Sequence, residues 1–166
     1  MISEKEKAVA PPVSYGEWLS LLAIVKNERR CEPEIFAALS RGSLDVSVET
    51  VVVPLKEQIV ETVNVMLDRA AKRFIKDLNE AIAFNELCHV DLMFLRLKKE
   101  IGKALFFENL GFLGAEFVSE LSDSVKKQMS DFWSSTVKFL YDQSVEFSNS
   151  ELEDALFTVK RIKLFD

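Results

Sequence analysis

The chain has 166 residues, 48% of them hydrophobic and 29% charged, with 5 Gly, 4 Pro and a formal net charge of −6. That is enough apolar material for one domain with a sizeable core, and it is not the composition of a disordered or low-complexity chain. One histidine, His89, and two cysteines, Cys31 and Cys88, exclude sites that need two imidazoles, a disulfide scaffold and a four-cysteine zinc site.

Residues 1–13 read as an N-terminal arm, and residues 14–166 as a single helical domain. The first residues are charged with mixed sign and lack the apolar core of a secretory signal. No apolar run approaches the ~20 residues of a membrane span, so a cytoplasmic, intracellular location is expected. Ser14 and Glu17 stand three apart as a capping box and should open a helix on Trp18, Leu21, Leu22 and Val25, ending near Glu28. Pro33 suits the first turn of a second short helix, whose apolar face is Ile35, Phe36 and Leu39 and whose stop is Gly42. Leu44 to Glu49 alternates apolar and polar residues. With no second strand to pair with, an extended connector is expected there.

No proline follows Pro54, and the remaining chain is rich in Leu, Phe, Ala, Glu and Lys. A long helix is expected after Pro54, facing inward with Ile59, Val60, Val63, Met66, Leu67, Ala70, Phe74, Leu78 and Ala81. A break near Asn85 precedes a helix whose face is Val90, Phe94, Leu97, Ile101 and Leu105. Leu92, Leu95 and Phe106 fall outside that face, so this helix should touch neighbours on two sides. Gly111 and Gly114 mark a turn. The last long helix spans about Ala115 to Phe147 on Val118, Leu121, Val125, Met129, Phe132, Thr136 and Phe139. Ser150 and Glu153 form a second capping box, leading a short helix that ends on Lys160, Arg161 and Lys163. The expected fold class is all-α, a bundle of three long helices with shorter flanking helices.

Motifs for catalysis are few. Glu86 and His89 form half of the paired E-x-x-H signature of di-iron bundles, and no second histidine completes it. Cys88 and His89 are adjacent, and adjacent helical residues point apart, so they form no thiol–imidazole dyad by themselves. The pairing of Cys31 with Cys88 is left open by the spacing, with reduced thiols the default. The chain contains no G-x-S-x-G elbow, P-loop or G-x-G-x-x-G. No metal or cofactor is expected. The first two helices resemble a helix-turn-helix in outline, but the second opens on Glu34 and offers only Arg41, a poor set for reading DNA.

Charge patterning is more informative. Arg69, Lys72, Arg73 and Lys76 stand at i, i+3, i+4 and i+7, and Arg96, Lys99 and Lys103 at i, i+3 and i+7. If the two helices form an antiparallel hairpin turning near Glu86, Arg69 lies level with Lys103 and Lys76 with Arg96. The seven cations then share one surface on an acidic protein, a site for a polyanion or an acidic partner. The alternative is two solvated helix backs with interleaved acids such as Asp77, Glu80 and Glu100. The acid-rich region 114–154 of a second copy is one expected cover for the patch. Phe106, Phe107, Phe112 and Phe117 are denser than one helix seam needs and are candidates for a partner groove or dimer interface. The expected function is a non-enzymatic helical interaction protein, adaptor, regulatory or self-assembling, with a protein partner or itself as a homo-oligomer. A nucleic-acid-binding protein using the basic stripes is the alternative, and an enzyme or ligand-binding bundle a weaker one.

Overall fold

The computed structural model describes residues 9–27, 33–84, 86–147, 150–161 and 164–165. The fold is all-α: 86% of the described residues are helical and none of them is in a strand. The helices are α1 (Tyr15–Asn27), α2 (Pro33–Ser40), α3 (Glu49–Ala83), α4 (Val90–Leu105), α5 (Ala115–Phe147) and α6 (Ser150–Arg161). Short 3₁₀ turns occupy Leu87–His89, Phe106–Asn109 and Gly111–Leu113. Two compact units result, one drawn from Met1–Val65 and Phe106–Ser119, the other from Met66–Leu105 and Glu120–Asp166. Cys31, Asn85 and Lys163 lie outside the described residues. Among the described residues no helix is long and apolar enough to cross a membrane.

In the first unit the capping box forms as expected. The Glu17 N–H donates to Ser14 Oγ at 3.3 Å, while the Ser14 and Val13 N–H groups donate back to Glu17 Oε2 at 3.3 and 2.7 Å. These bonds satisfy donors that a helix start leaves without intrahelical partners. Trp18, Leu21, Leu22 and Val25 are all buried, one face of α1 at helical spacing. The Trp18 indole N–H donates to the Ser43 carbonyl at 3.0 Å, and the Ser43 N–H donates to the Pro12 carbonyl at 2.9 Å. Gly42 sits inside this clasp. A Cβ there would lie 2.6 Å from Trp18 Cζ2 and 2.8 Å from Pro12 Cγ, so the turn after α2 has room only for glycine.

Residues 44–48 are a connector without strand structure, and residues 45–48 of it are exposed. Its polar positions are used locally. The Ser47 N–H and hydroxyl both donate to Asp45 Oδ1, at 3.0 and 2.6 Å, which holds the Asp45 carboxyl below the usual carboxylate value. The long helix starts earlier than the proline suggests, at Glu49, with Pro54 inside it. Pro54 removes one N–H, and the carbonyl it would have served belongs to exposed Thr50, where water can satisfy it. Lys26 Nζ donates to Gln58 Oε1 at 3.1 Å and reaches Glu61 Oε2 at 3.4 Å, tying α1 to α3.

In the second unit the part of α3 from Met66 onward runs antiparallel to α4: Ala70 and Arg73 share a groove with Lys99 and Glu100, and Ala81 and Phe84 share a hollow with His89 and Met93. The end of α3 is closed by the Glu86 N–H donating to the Ala81 carbonyl at 2.8 Å, the six-to-one bond of a Schellman-type stop. Phe74 meets Phe94 at 4.8 Å between ring centroids, Phe94 meets Trp133 edge-on at 4.1 Å, and Phe74 meets Phe132 edge-on at 5.9 Å. This cluster joins α3, α4 and α5. Phe74 and Leu97 are 3% and 2% exposed, as their mid-face positions require. Phe132 is only half-buried. The buried stripe of α5 steps by four through Leu121, Val125 and Met129, passes to Thr136, and steps by four again through Leu140 and Ser144, so it slides off a strict heptad row. The buried hydroxyls of Thr136 and Ser144 donate to the Phe132 and Tyr141 carbonyls of their own helix. Helix α6 packs on α4 and on the turn before it.

Candidate interaction surface on helix α4

Helix α4 is apolar on two opposite sides. Inward, Val90, Met93, Phe94, Leu97, Ile101 and Ala104 are buried. Outward, Leu92 is 50% and Leu95 62% exposed. At about 100° per residue these two leucines lie opposite Leu97 and Ile101. The expectation that Leu92 and Leu95 contact a second neighbour within the chain is corrected: both are exposed. Leu105 and Phe106, by contrast, are half-buried. An exposed Leu alone is ordinary, but two on one face of one helix, beside charges that also lack partners, are not.

Of the seven cations in the basic stripes, the structure brings Arg73, Arg96 and Lys99 around one groove between α3 and α4, floored by Ala70, Phe74 and Leu97. The other four are engaged. Lys72 Nζ pairs with Asp68 Oδ2 at 2.7 Å, Lys76 Nζ with Glu80 Oε1 at 3.9 Å and Lys103 Nζ with Glu100 Oε1 at 2.9 Å, while Arg69 also has an interaction. Glu100 therefore serves Lys103 and not Arg96, although it lies four residues from Arg96. Arg73, Arg96 and Lys99 make no ion pair among the described residues. Asp77 lines the same groove and reaches none of them at ion-pair distance.

A separate hollow nearer the start of α4 shares Asp77 and Arg96 with the groove and is lined as well by Glu80, Phe84, Glu86 and His89. Glu86 and His89 are exposed, with His89 ending a 3₁₀ turn that Glu86 precedes, so they do not share one α-helical face. Among the described residues no three His, Cys, Asp or Glu side chains gather in a way that could hold a metal ion. Cys88 is a free, exposed thiol beside Asp91 and the acids Glu151 and Asp154 of α6.

The four phenylalanines singled out in sequence lie in the first unit. Phe107 is fully buried. Phe106 packs on Phe36 at 5.2 Å, Phe112 on Trp18 at 5.6 Å, and Lys56 Nζ sits 5.4 Å from the centre of the Phe117 ring. Their density is used to pack the two 3₁₀ turns between α4 and α5 against α1 and α2. Sequence reasoning passed over Tyr141 and Val145 of α5 and Phe157 of α6, which are 53%, 64% and 63% exposed. Their signal was present: each lies on the outer side of a helix whose inner face is already apolar.

Compared with known proteins, the chain matches no family model, no curated protein and no solved structure.

Proposed function

We propose that the chain is a non-enzymatic helical interaction protein, and that α4 presents the contact surface. The observation that carries this reading is the outer face of α4: Leu92 and Leu95 exposed, beside three cations, Arg73, Arg96 and Lys99, that have no ion-pair partners among the described residues. Removing two leucines from water favours association, and grouped cations repel one another until an anion meets them. Both terms fall when a partner of opposite charge covers this face. A nucleic-acid partner suits the surface less well. Three cations neutralise few phosphates, the net charge of −6 repels a polyanion elsewhere, and the leucines would go unused.

The test is solution mass. Purified from its native source under gentle conditions, the wild-type protein should sediment above its 18.9 kDa monomer mass, as a complex or as a homo-oligomer. The Leu92→Glu, Leu95→Glu double variant should keep its helical circular dichroism and sediment as the monomer. A wild-type protein that runs as a lone monomer throughout defeats the reading.

A further inference from the structure

The charges beside the two leucines select the partner, and this step rests on the function proposed above. On the outer side of α4, Leu92, Leu95, Lys99 and Gly102 follow the three-and-four spacing of a coiled-coil seam. Arg96 and Lys103 flank the seam on one edge, and Asp91 and Lys98 on the other. A second copy of α4 is a poor mate for it. Laid parallel, it sets Lys99 against Lys99 in the seam and Lys98 beside Lys103, with only Asp91 and Arg96 complementary. Laid antiparallel, it sets the Arg96 and Lys103 edge against the same edge and Lys99 against Leu95, with only the Asp91 and Lys98 edge complementary to itself. Like charges face each other in both arrangements, and such pairs are unfavourable. The outer face of α5 is no better, because its exposed apolar pair, Tyr141 and Val145, is flanked by Lys138 as well as Asp142.

We propose that the outer face of α4 docks an acidic amphipathic helix of a partner protein. Two apolar side chains of that helix, three or four residues apart, cover Leu92 and Leu95. Carboxylates on its flank enter the α3–α4 groove and meet Arg73, Arg96 and Lys99. Cations outnumber acids among the charged residues that line the groove, three to two. Arg73 approaches from α3, Arg96 and Lys99 from α4, and Asp77 and Glu100 on the walls limit how much negative charge it accepts. A guanidinium pair suits planar carboxylates, which it can bind two oxygens at a time. The mode is a helix laid along a groove, with apolar anchors for affinity and charge for orientation.

The test uses a fluorescent synthetic helix of about 18 residues, five turns, with Leu along its seam and Glu on both flanks, and a companion with Lys in place of Glu. Anisotropy titrations should show the Glu helix binding at least about tenfold tighter than the Lys helix, with the gap narrowing as salt rises. Leu92→Ala with Leu95→Ala should weaken the Glu helix by about tenfold or more, and Arg96→Glu with Lys99→Glu should invert the preference between the two helices. Unchanged thermal melts of both variants keep the comparison valid. Equal binding of the two helices, or indifference to the leucine pair, overturns the proposal. So does a single-stranded oligonucleotide that binds through Arg73, Arg96 and Lys99 without the leucines. Sedimentation in the same buffers separates the two levels of inference. If neither helix binds but the protein self-associates through Leu92 and Leu95, the acidic partner is wrong and the interaction surface stands. If neither helix binds and the protein is a monomer, both fall.

Discussion

Leu97 and Leu95 sit two residues apart on one helix and should respond to truncation in opposite ways. Leu97 is 2% exposed, between Phe94 and Ile101 on the face that meets the aromatic cluster. Removing a leucine side chain from such a site loses its transfer free energy, about 1.5–3 kcal/mol for full burial, and adds a cavity term. The rings of Phe74, Phe94 and Trp133 hold one another in place and resist collapse into the space. Leu97→Ala should therefore cost about 3–4 kcal/mol, within the usual range for buried Leu→Ala changes. At about 2–4 °C per kcal/mol for a chain of this size, the melting temperature should fall by about 6–16 °C. Leu95 is 62% exposed, and alanine is a better helix former than leucine. Leu95→Ala should change stability by no more than about 0.5 kcal/mol in either direction. Urea titrations followed by far-ultraviolet circular dichroism, on dilute protein, measure both. If Leu95→Ala destabilises as much as Leu97→Ala, the outer face of α4 is covered by the chain itself and the assignment of that face as a contact surface is wrong.

Gly114 has φ +101°, a conformation that strains any residue with a side chain. Gly114→Ala should lower stability by about 1–3 kcal/mol in a denaturant titration, although open space surrounds the position; an unchanged midpoint would contradict that backbone. Ser14→Ala removes one acceptor of the α1 capping box and should cost about 1 kcal/mol, read as a shift of the thermal midpoint, and a value near zero would mean the box is not formed in solution. The Asp45 carboxyl is stabilised in its charged form by the Ser47 hydroxyl and N–H, so its folded-state pKa lies below the ordinary value. Its contribution to stability is thus present above the unfolded-state pKa and is lost as pH falls through the folded one. A carbon-detected NMR titration should find Asp45 titrating below an ordinary aspartate, and Ser47→Ala should move it back up. An unshifted Asp45 refutes the turn.

Much of the fold was legible because local signals and the apolar period agreed. The start of α5 at Ala115 follows from Gly114, and the start of α1 from the Ser14–Glu17 box, whose bonds form as expected. Where the structure departs from the sequence pattern, the surroundings of a residue outweigh its local signal. Pro54 has the look of a helix boundary, yet a proline within the first turns is tolerated when the carbonyl it strands faces water. Phe132 lies on the apolar face that the sequence marks from Val118 to Phe139, but the buried stripe of a straight helix drifts round that face and leaves Phe132 half-exposed. The candidate surface was visible only in part. The two basic stripes and the hairpin that joins them follow from spacing. Which cations remain without partners does not, because Glu100 had two candidates at helical distance, Arg96 and Lys103, and only side-chain geometry chooses between them. The spacing puts Leu92 and Leu95 off the inner face, and whether the chain itself covers them is a property of tertiary packing that periodicity does not contain.

The central claim is that the outer side of α4 is where this protein meets its partner. Methyl-detected NMR of the wild-type protein, titrated with the Glu-flanked helix, tests it most directly. The account predicts that the methyl signals of Leu92 and Leu95 shift in a saturable way while that of Leu97 stays close to its free position. Shifts that leave Leu92 and Leu95 unmoved and cluster on another surface, or no shifts at all, would contradict it.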